Sequence, residues 1–148
     1  MASLTVTIKE EVTINGKDRG NTNSVTIDNV TETFNRVLTI TNTEQTVLQF
    51  QASRPSGAAF VDASLQYLRI TNLDGSNTVD LRIQDTANTK EYFVRLGSTE
   101  SYVLFNDKMD ANEANDEAIS ISQIEKISAD ATGSSGETAD IEIFAVAT

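Results

Sequence analysis

Carboxylates are the most abundant side chains in this sequence that could do chemistry. The chain has 22 acidic residues and three Tyr, but it has neither His nor Cys. A Ser–His or Cys–His catalytic arrangement therefore cannot be built. Two carboxylates held about 5 to 9 Å apart could hydrolyse a glycosidic bond. Candidate pairs are Glu10 with Glu11, Asp107 with Asp110, and Asp116 with Glu117. Because so many acidic residues produce such pairs by chance, we predict a solvated acidic surface and no enzyme activity.

The acidic stretch from Asp107 to Glu117 concentrates oxygen ligands of the kind that Ca²⁺ prefers. Its spacing departs from the EF-hand loop, which requires Gly at the sixth position, where counting from Asp110 gives Asn115. A calcium site and an ordinary solvated loop both remain open, and the solvated loop is favoured. We predict no other cofactor. The possible calcium ligands are Asp107, Asp110, Asn112, Glu113 and Asp116.

The net charge of −11 argues against partners that carry phosphate. Binding to nucleic acid or to anionic lipid requires clustered Lys and Arg, whereas the 11 basic residues here are scattered singly. No glycine run resembles a phosphate-binding loop. The N-terminus lacks the pattern of a signal peptide, and no stretch approaches the roughly 18 consecutive apolar residues that cross a membrane. We therefore expect synthesis in the cytoplasm and neither a nucleic-acid nor a membrane partner.

Short runs of alternating apolar and polar residues fill the chain, which is the period of a half-buried strand. Asn15–Gly16 and Asp74–Gly75 are tight-turn signals, the second of which predicts a hairpin, and residues 133–136 predict another hairpin tip. Pro55 predicts a longer crossover, and residues 109–117 a loop or single helical turn. Eight or so short strands predict an all-β fold, a single antiparallel β-sandwich over residues 1–148. Jelly-roll topology is favoured over an immunoglobulin-like sandwich, which would normally show Cys and Trp in its core.

The aromatic residues mostly fall on the parity that faces a core. Tyr67, Tyr92 and Tyr102 either bury their rings and keep the hydroxyl wet, or line a sugar-binding or subunit surface. The core candidates are Phe34, Phe50, Phe93, Phe105 and Phe144.

Three parts of the sequence carry a resemblance to a known class of proteins. They are residues 4–16, the central run 67–74 together with 92–96, and the closing run 139–145. In these runs the chain resembles the small β-sandwich structural proteins of tailed bacteriophage particles. The resemblance implies a virion component that is made in the host cytoplasm in many copies and oligomerises. It is compatible with a capsid decoration protein and with a neck or tail accessory protein.

From the lack of catalytic groups and this resemblance, we predict a non-enzymatic capsid decoration or cement protein that coats or stabilises a phage shell. Its expected partners are further copies of itself, in a homotrimer, and the major capsid protein or other virion proteins. The alternative is a carbohydrate- or receptor-binding module of a phage tail or fibre. The interface candidates are Leu4, Val6, Ile8, Tyr67, Tyr92 and Tyr102.

The N-terminal segment, residues 2–14, has two interpretations. An alternating strand at a chain end can add to the sheet edge of a neighbour, which would make it an assembly arm. An ordinary strand of its own sandwich is the simpler interpretation and is favoured.

Overall fold

Apolar and polar residues alternate along strands that make up most of the described chain. The computed structural model describes residues 2–51, 59–61, 65–85, 91–105, 124–132 and 136–148, and these contain no helix. The strands are β1 (Ala2–Lys9), β2 (Thr13–Ile14), β3 (Lys17–Asp18), β4 (Thr22–Val30), β5 (Glu32–Thr41), β6 (Gln45–Gln51), β7 (Ala59–Val61), β8 (Leu65–Asn72), β9 (Thr78–Asp85), β10 (Glu91–Leu96), β11 (Ser101–Leu104), β12 (Ile124–Thr132) and β13 (Thr138–Ala147).

Eight of these strands form two antiparallel sheets of four. One sheet has the order β5-β13-β8-β11 and the other has the order β6-β12-β9-β10, with the short β7 added in parallel beside β6. Among these eight, the first strand in the chain pairs with the last, the second with the seventh, the third with the sixth and the fourth with the fifth. That order is a long hairpin rolled into two layers, which is the jelly roll. The prediction of an all-β, jelly-roll sandwich is confirmed.

The core lies between the two sheets and is built from the inward-facing half of each strand. On β9, Val79, Leu81 and Ile83 are fully buried, while Asp80 and Arg82 between them point to the other face. The same alternation on the opposite sheet buries Ile141, Ile143 and Ala145 of β13. Period-two alternation thus reports a sheet with one face in the core.

The predicted core position of Phe93 is wrong, because its side chain is 63% exposed. Phe93 lies opposite Arg82 on the outer parity of its sheet, where the guanidinium carbon is 6.0 Å from the ring centroid. Its neighbours Tyr92 and Val94 pack against the core instead. Phe50 is buried as predicted.

The predicted hairpin at Asp74–Gly75 is also wrong, since β8 and β9 belong to different sheets. The turn crosses from one layer to the other and is organised by the fully buried Asn72. The Asn72 Nδ2 donates to the carbonyls of Asn77 at 2.8 Å, Leu96 at 3.3 Å and Gly97 at 3.0 Å. Its Oδ1 accepts from the Asp74 amide at 3.0 Å. Asn72 therefore joins two of the loops at this end of the sandwich.

The hairpin predicted at residues 133–136 is wrong for the same reason, because β12 and β13, which flank it, lie in different sheets. A jelly roll places such turns at corners between layers. Pro55, the predicted crossover, lies outside the described residues.

Residues 2–30 form a separate ribbon. Strands β1 and β4 make a two-stranded antiparallel sheet, β2 and β3 continue it as a small hairpin, and in the described part of the chain none of them pairs with the sandwich sheets. The Thr31 amide donates to the Ala147 carbonyl at 3.0 Å where the ribbon meets the sandwich. The predicted segment 2–14 lies within this ribbon.

Candidate functional site

The pairing register of the ribbon places its apolar side chains on one face. Leu4 lies opposite Ile27, and Val6 lies opposite Val25. Ile8, two residues further along β1, falls on the same face and is 49% exposed. Three of the predicted interface residues, Leu4, Val6 and Ile8, therefore share a surface with two residues of β4.

A β-bulge extends this apolar face towards the sandwich. Between the pairs Leu4 with Ile27 and Ala2 with Val30, β4 advances three residues while β1 advances two. Asn29 takes up the extra residue with a φ of 60°, a left-handed conformation that Asn tolerates well. Without the bulge, Val30 would point to the opposite face. With it, Val30 returns to the face of Ala2 and Leu4.

The opposite face of the ribbon is covered by hydroxyl groups. The Thr5 and Thr26 hydroxyls are 3.3 Å apart, and those of Thr7 and Ser24 are 2.8 Å apart. These cross-strand pairs satisfy one another in solvent. The ribbon is thus amphipathic, with one face of hydroxyl groups that water solvates and one apolar face that is favourably buried.

The tip of the ribbon is a tight turn that exposes two more apolar side chains. Asn15 and Gly16 have φ values of 52° and 73°, as a two-residue hairpin loop requires. A Cβ at Gly20 would lie 1.9 Å from the Glu10 carbonyl oxygen, so only glycine lets the two chain segments below the tip approach each other here. Val12 and Ile14 are 45% and 54% exposed.

The base of the ribbon borders a cleft of about 570 Å³. Val25 and Ile27 of the apolar face line it from the ribbon, and Phe105 and Gln66 line it from the sandwich. The remaining lining residues are Thr26, Asp28, Asn29 and Thr148. The apolar face therefore continues into a cavity where the ribbon joins the sandwich.

The three tyrosines occupy two different environments. Tyr67 is only 7% exposed, and its ring packs edge-on against Phe105 and Phe144, with ring centroids 5.9 and 6.0 Å away. The hydroxyls of Tyr92 and Tyr102 are 2.7 Å apart and half-buried. Burial raises the pKa of both phenols, and for Tyr92 the hydrogen bond to Tyr102 raises it further. The structure does not bring any of the three onto the ribbon face with Leu4, Val6 and Ile8.

Ion pairs cover the outer face of the sheet that contains β9. The Arg82 guanidinium donates to Glu91 at 2.7 Å and to Glu44 at 3.1 Å. Arg95 binds both carboxylate oxygens of Asp80 at 2.6 Å. These carboxylates raise the pKa of both guanidiniums. Ion pairs that are exposed to solvent each contribute little to stability. This face is therefore a network of ion pairs whose charges are screened by water and salt.

The predicted calcium ligands Asp107, Asp110, Asn112, Glu113 and Asp116 all lie outside the described residues. Within the described ranges, no three acidic side chains come together in a way that could hold a metal ion. The same ranges contain no helix that is long and apolar enough to span a membrane.

Sequence reasoning missed the contribution of β4 and of the cleft to this surface. Val25 and Ile27 show the alternation of a strand, but their pairing with β1 joins residues about 20 positions apart, as the Val6 to Val25 pair shows. Both β1 and β4 carry their apolar residues at alternate positions. Comparing these two patterns is the signal that could have indicated a shared apolar face. The place of Phe105 and Gln66 in the cleft depends on the tertiary fold and leaves no local signal.

Fold and surface together define a jelly-roll β-sandwich with an amphipathic two-stranded ribbon at its N-terminal side. Comparison with known protein families, with curated proteins and with solved structures finds no match to this chain.

Proposed function

We propose that this chain is a non-enzymatic structural protein of a virus particle, a capsid decoration or cement protein that coats or stabilises a phage shell through self-association. The observation that carries the proposal is the ribbon, which leaves Ile8 and Val25 of its apolar face exposed, together with Val12 and Ile14 of its tip. An isolated two-stranded hairpin is marginally stable in water, and burial against a partner would stabilise this one. An interaction role explains the exposure of Ile8, Val12, Ile14 and Val25.

The charge of the chain supports the same proposal. A net charge of −11 on 148 residues makes copies repel one another, so that stable association needs a specific surface. Such a surface is expected in a protein that must join an ordered assembly in many copies. The resemblance of residues 4–16, 67–74, 92–96 and 139–145 to phage structural proteins suggests the kind of assembly. Partners would be other copies, in the expected homotrimer, and the major capsid protein or other virion proteins.

The test is the protein content of the particle itself. Phage particles would be purified by density gradient from the culture that carries this gene, and their tryptic peptides would be quantified by mass spectrometry. The proposal predicts peptides of this chain in the particle fraction, at a copy number comparable with that of the major shell protein. Peptides found only in the soluble lysate would contradict it.

A further inference from the structure

The tip and the base of the ribbon are complementary in chemistry. The tip exposes Val12 and Ile14 and carries the basic residues Lys17 and Arg19, which have no ion-pair partner among the described residues. The cleft at the base is lined by the apolar Val25, Ile27 and Phe105 and by polar residues that include Asp28, which also lacks an ion-pair partner in the described part of the chain. Residues 12–19 carry a net charge of +1, from Lys17 and Arg19 less Asp18, so the apolar and basic side chains of the tip have apolar and acidic counterparts in the cleft.

The ribbon is also the part of the molecule where two copies repel each other least. Residues 2–30 have a net charge of −1, and the rest of the chain carries the remaining −10. The ribbon's basic residues are Lys9, Lys17 and Arg19, and its acidic residues are Glu10, Glu11, Asp18 and Asp28. A contact between two sandwiches would oppose two strongly negative surfaces, whereas a contact between two ribbons would not.

The size of the surface decides how the ribbons meet. Eight residues of β1 span about 27 Å, and two strands are about 10 Å wide, so one ribbon face offers only about 270 Å². Specific interfaces bury about 800 Å² on each partner. Contact between two ribbon faces alone is therefore too small. Insertion of the tip into the cleft adds the surfaces of both, and its 570 Å³ accommodates the seven side-chain carbons of Val12 and Ile14.

We propose that the ribbon tip of one copy docks into the base cleft of a second copy, with the apolar faces of the two ribbons packed together in antiparallel orientation. In this arrangement Lys17 and Arg19 of one copy lie near Asp28 of the other. This inference rests on the proposed function, since it names the surface through which the chain self-associates. Because the antiparallel contact uses the ribbon face of both copies, the exchange is reciprocal and makes a closed dimer, which differs from the homotrimer expected from the sequence.

The absence of Cys from the sequence allows a direct test by cross-linking. Two full-length variants, Ile14→Cys at the tip and Gln66→Cys in the cleft, would be mixed after one of them is labelled with ¹⁵N. After subunit exchange and mild oxidation, intact-mass spectrometry distinguishes mixed dimers from unmixed ones. The matched control pairs Gln66→Cys with Thr7→Cys, which lies on the hydroxyl face. We expect mixed dimers to exceed the control by at least about tenfold, because a disulfide needs its Cβ atoms within about 4.5 Å.

A charge exchange provides a second readout that does not depend on cysteine chemistry. Lys17→Glu is expected to weaken self-association about tenfold at low salt, and Asp28→Lys in the same chain is expected to restore it. If the chain sediments as an oligomer but shows neither mixed cross-links nor rescue, the tip-to-cleft contact is wrong and the structural role stands. If the protein is monomeric yet abundant in particles, the contact between copies is also wrong, and the ribbon binds another virion protein.

Discussion

Replacing Asn72 by Ala is expected to destabilise the sandwich by about 3 kcal/mol. The side chain is fully buried at the corner where β8 turns towards the other sheet. Its two amide hydrogens serve three carbonyls, and its Oδ1 accepts one backbone amide. We count three full hydrogen bonds at about 1 kcal/mol each, which corresponds to a melting temperature lower by about 6 to 12 °C.

Urea denaturation at pH 7, followed by circular dichroism, measures this change. The matched control is Asn42→Ala in the exposed β5–β6 loop, which should stay within about 0.5 kcal/mol of the unmodified protein. Asn72→Asp keeps the size of the side chain but places a carboxylate against three carbonyls. It should therefore be more damaging at pH 7 than Asn72→Ala and recover as the carboxylate is protonated. A loss below about 1 kcal/mol for Asn72→Ala would refute the role given to this corner.

Three further predictions concern single side chains of the sandwich. The backbone amides of Asn77 and Ser76 lower the pKa of Asp74. Asp74 therefore stabilises the fold above its unfolded pKa, and this contribution is lost as the pH falls through its folded pKa. Asp74→Asn should flatten the dependence of unfolding on pH in that acidic range. Burial raises the pKa of Tyr92. Its contribution to the free energy of unfolding is therefore present below its unfolded pKa and is lost as the pH rises above about 10. Tyr92→Phe should flatten the dependence of stability on alkaline pH, as measured by urea unfolding. Phe93→Ala should cost less than about 1 kcal/mol because the ring is exposed, and Phe50→Ala about 3 to 5 kcal/mol, as measured by the same urea unfolding.

The class of fold could be predicted from sequence because strand alternation is a local signal. Val79, Leu81 and Ile83 alternate with polar residues, and the structure buries all three. The Asn15–Gly16 turn could be predicted for the same reason, since both residues favour positive φ whatever lies around them. The order of the strands depends on which distant segments pair, and turn residues do not encode it.

Asp74–Gly75 illustrates that limit, because the same residue types suit a hairpin and a corner between sheets. Phe93 illustrates another, since an aromatic residue on a strand is core only if its parity faces inward. Tyr67 shows the reverse case. It shares the outward-facing parity of Arg69 on β8, yet Phe105 and Phe144 cover its ring.

The candidate surface could be predicted only in part. The parity of Leu4, Val6 and Ile8 follows from the sequence and places them on one face. Their partners Val25 and Ile27, and the separation of the ribbon from both sandwich sheets, follow from pairing that is not local. The cleft beside Phe105 arises only when the ribbon and the sandwich are both in place.

Sedimentation equilibrium of the full chain tests the central claim, that this protein self-associates through its ribbon. The chain has a mass of 16.1 kDa, and we predict a concentration-dependent mass of two or three times that value. The double variant Val6→Asp and Val25→Asp, which charges the apolar face, should sediment as a single copy, while Thr5→Asp and Thr7→Asp on the hydroxyl face should leave the association intact. A single-copy mass for the unmodified chain at every concentration, or equal association in both double variants, would contradict the claim.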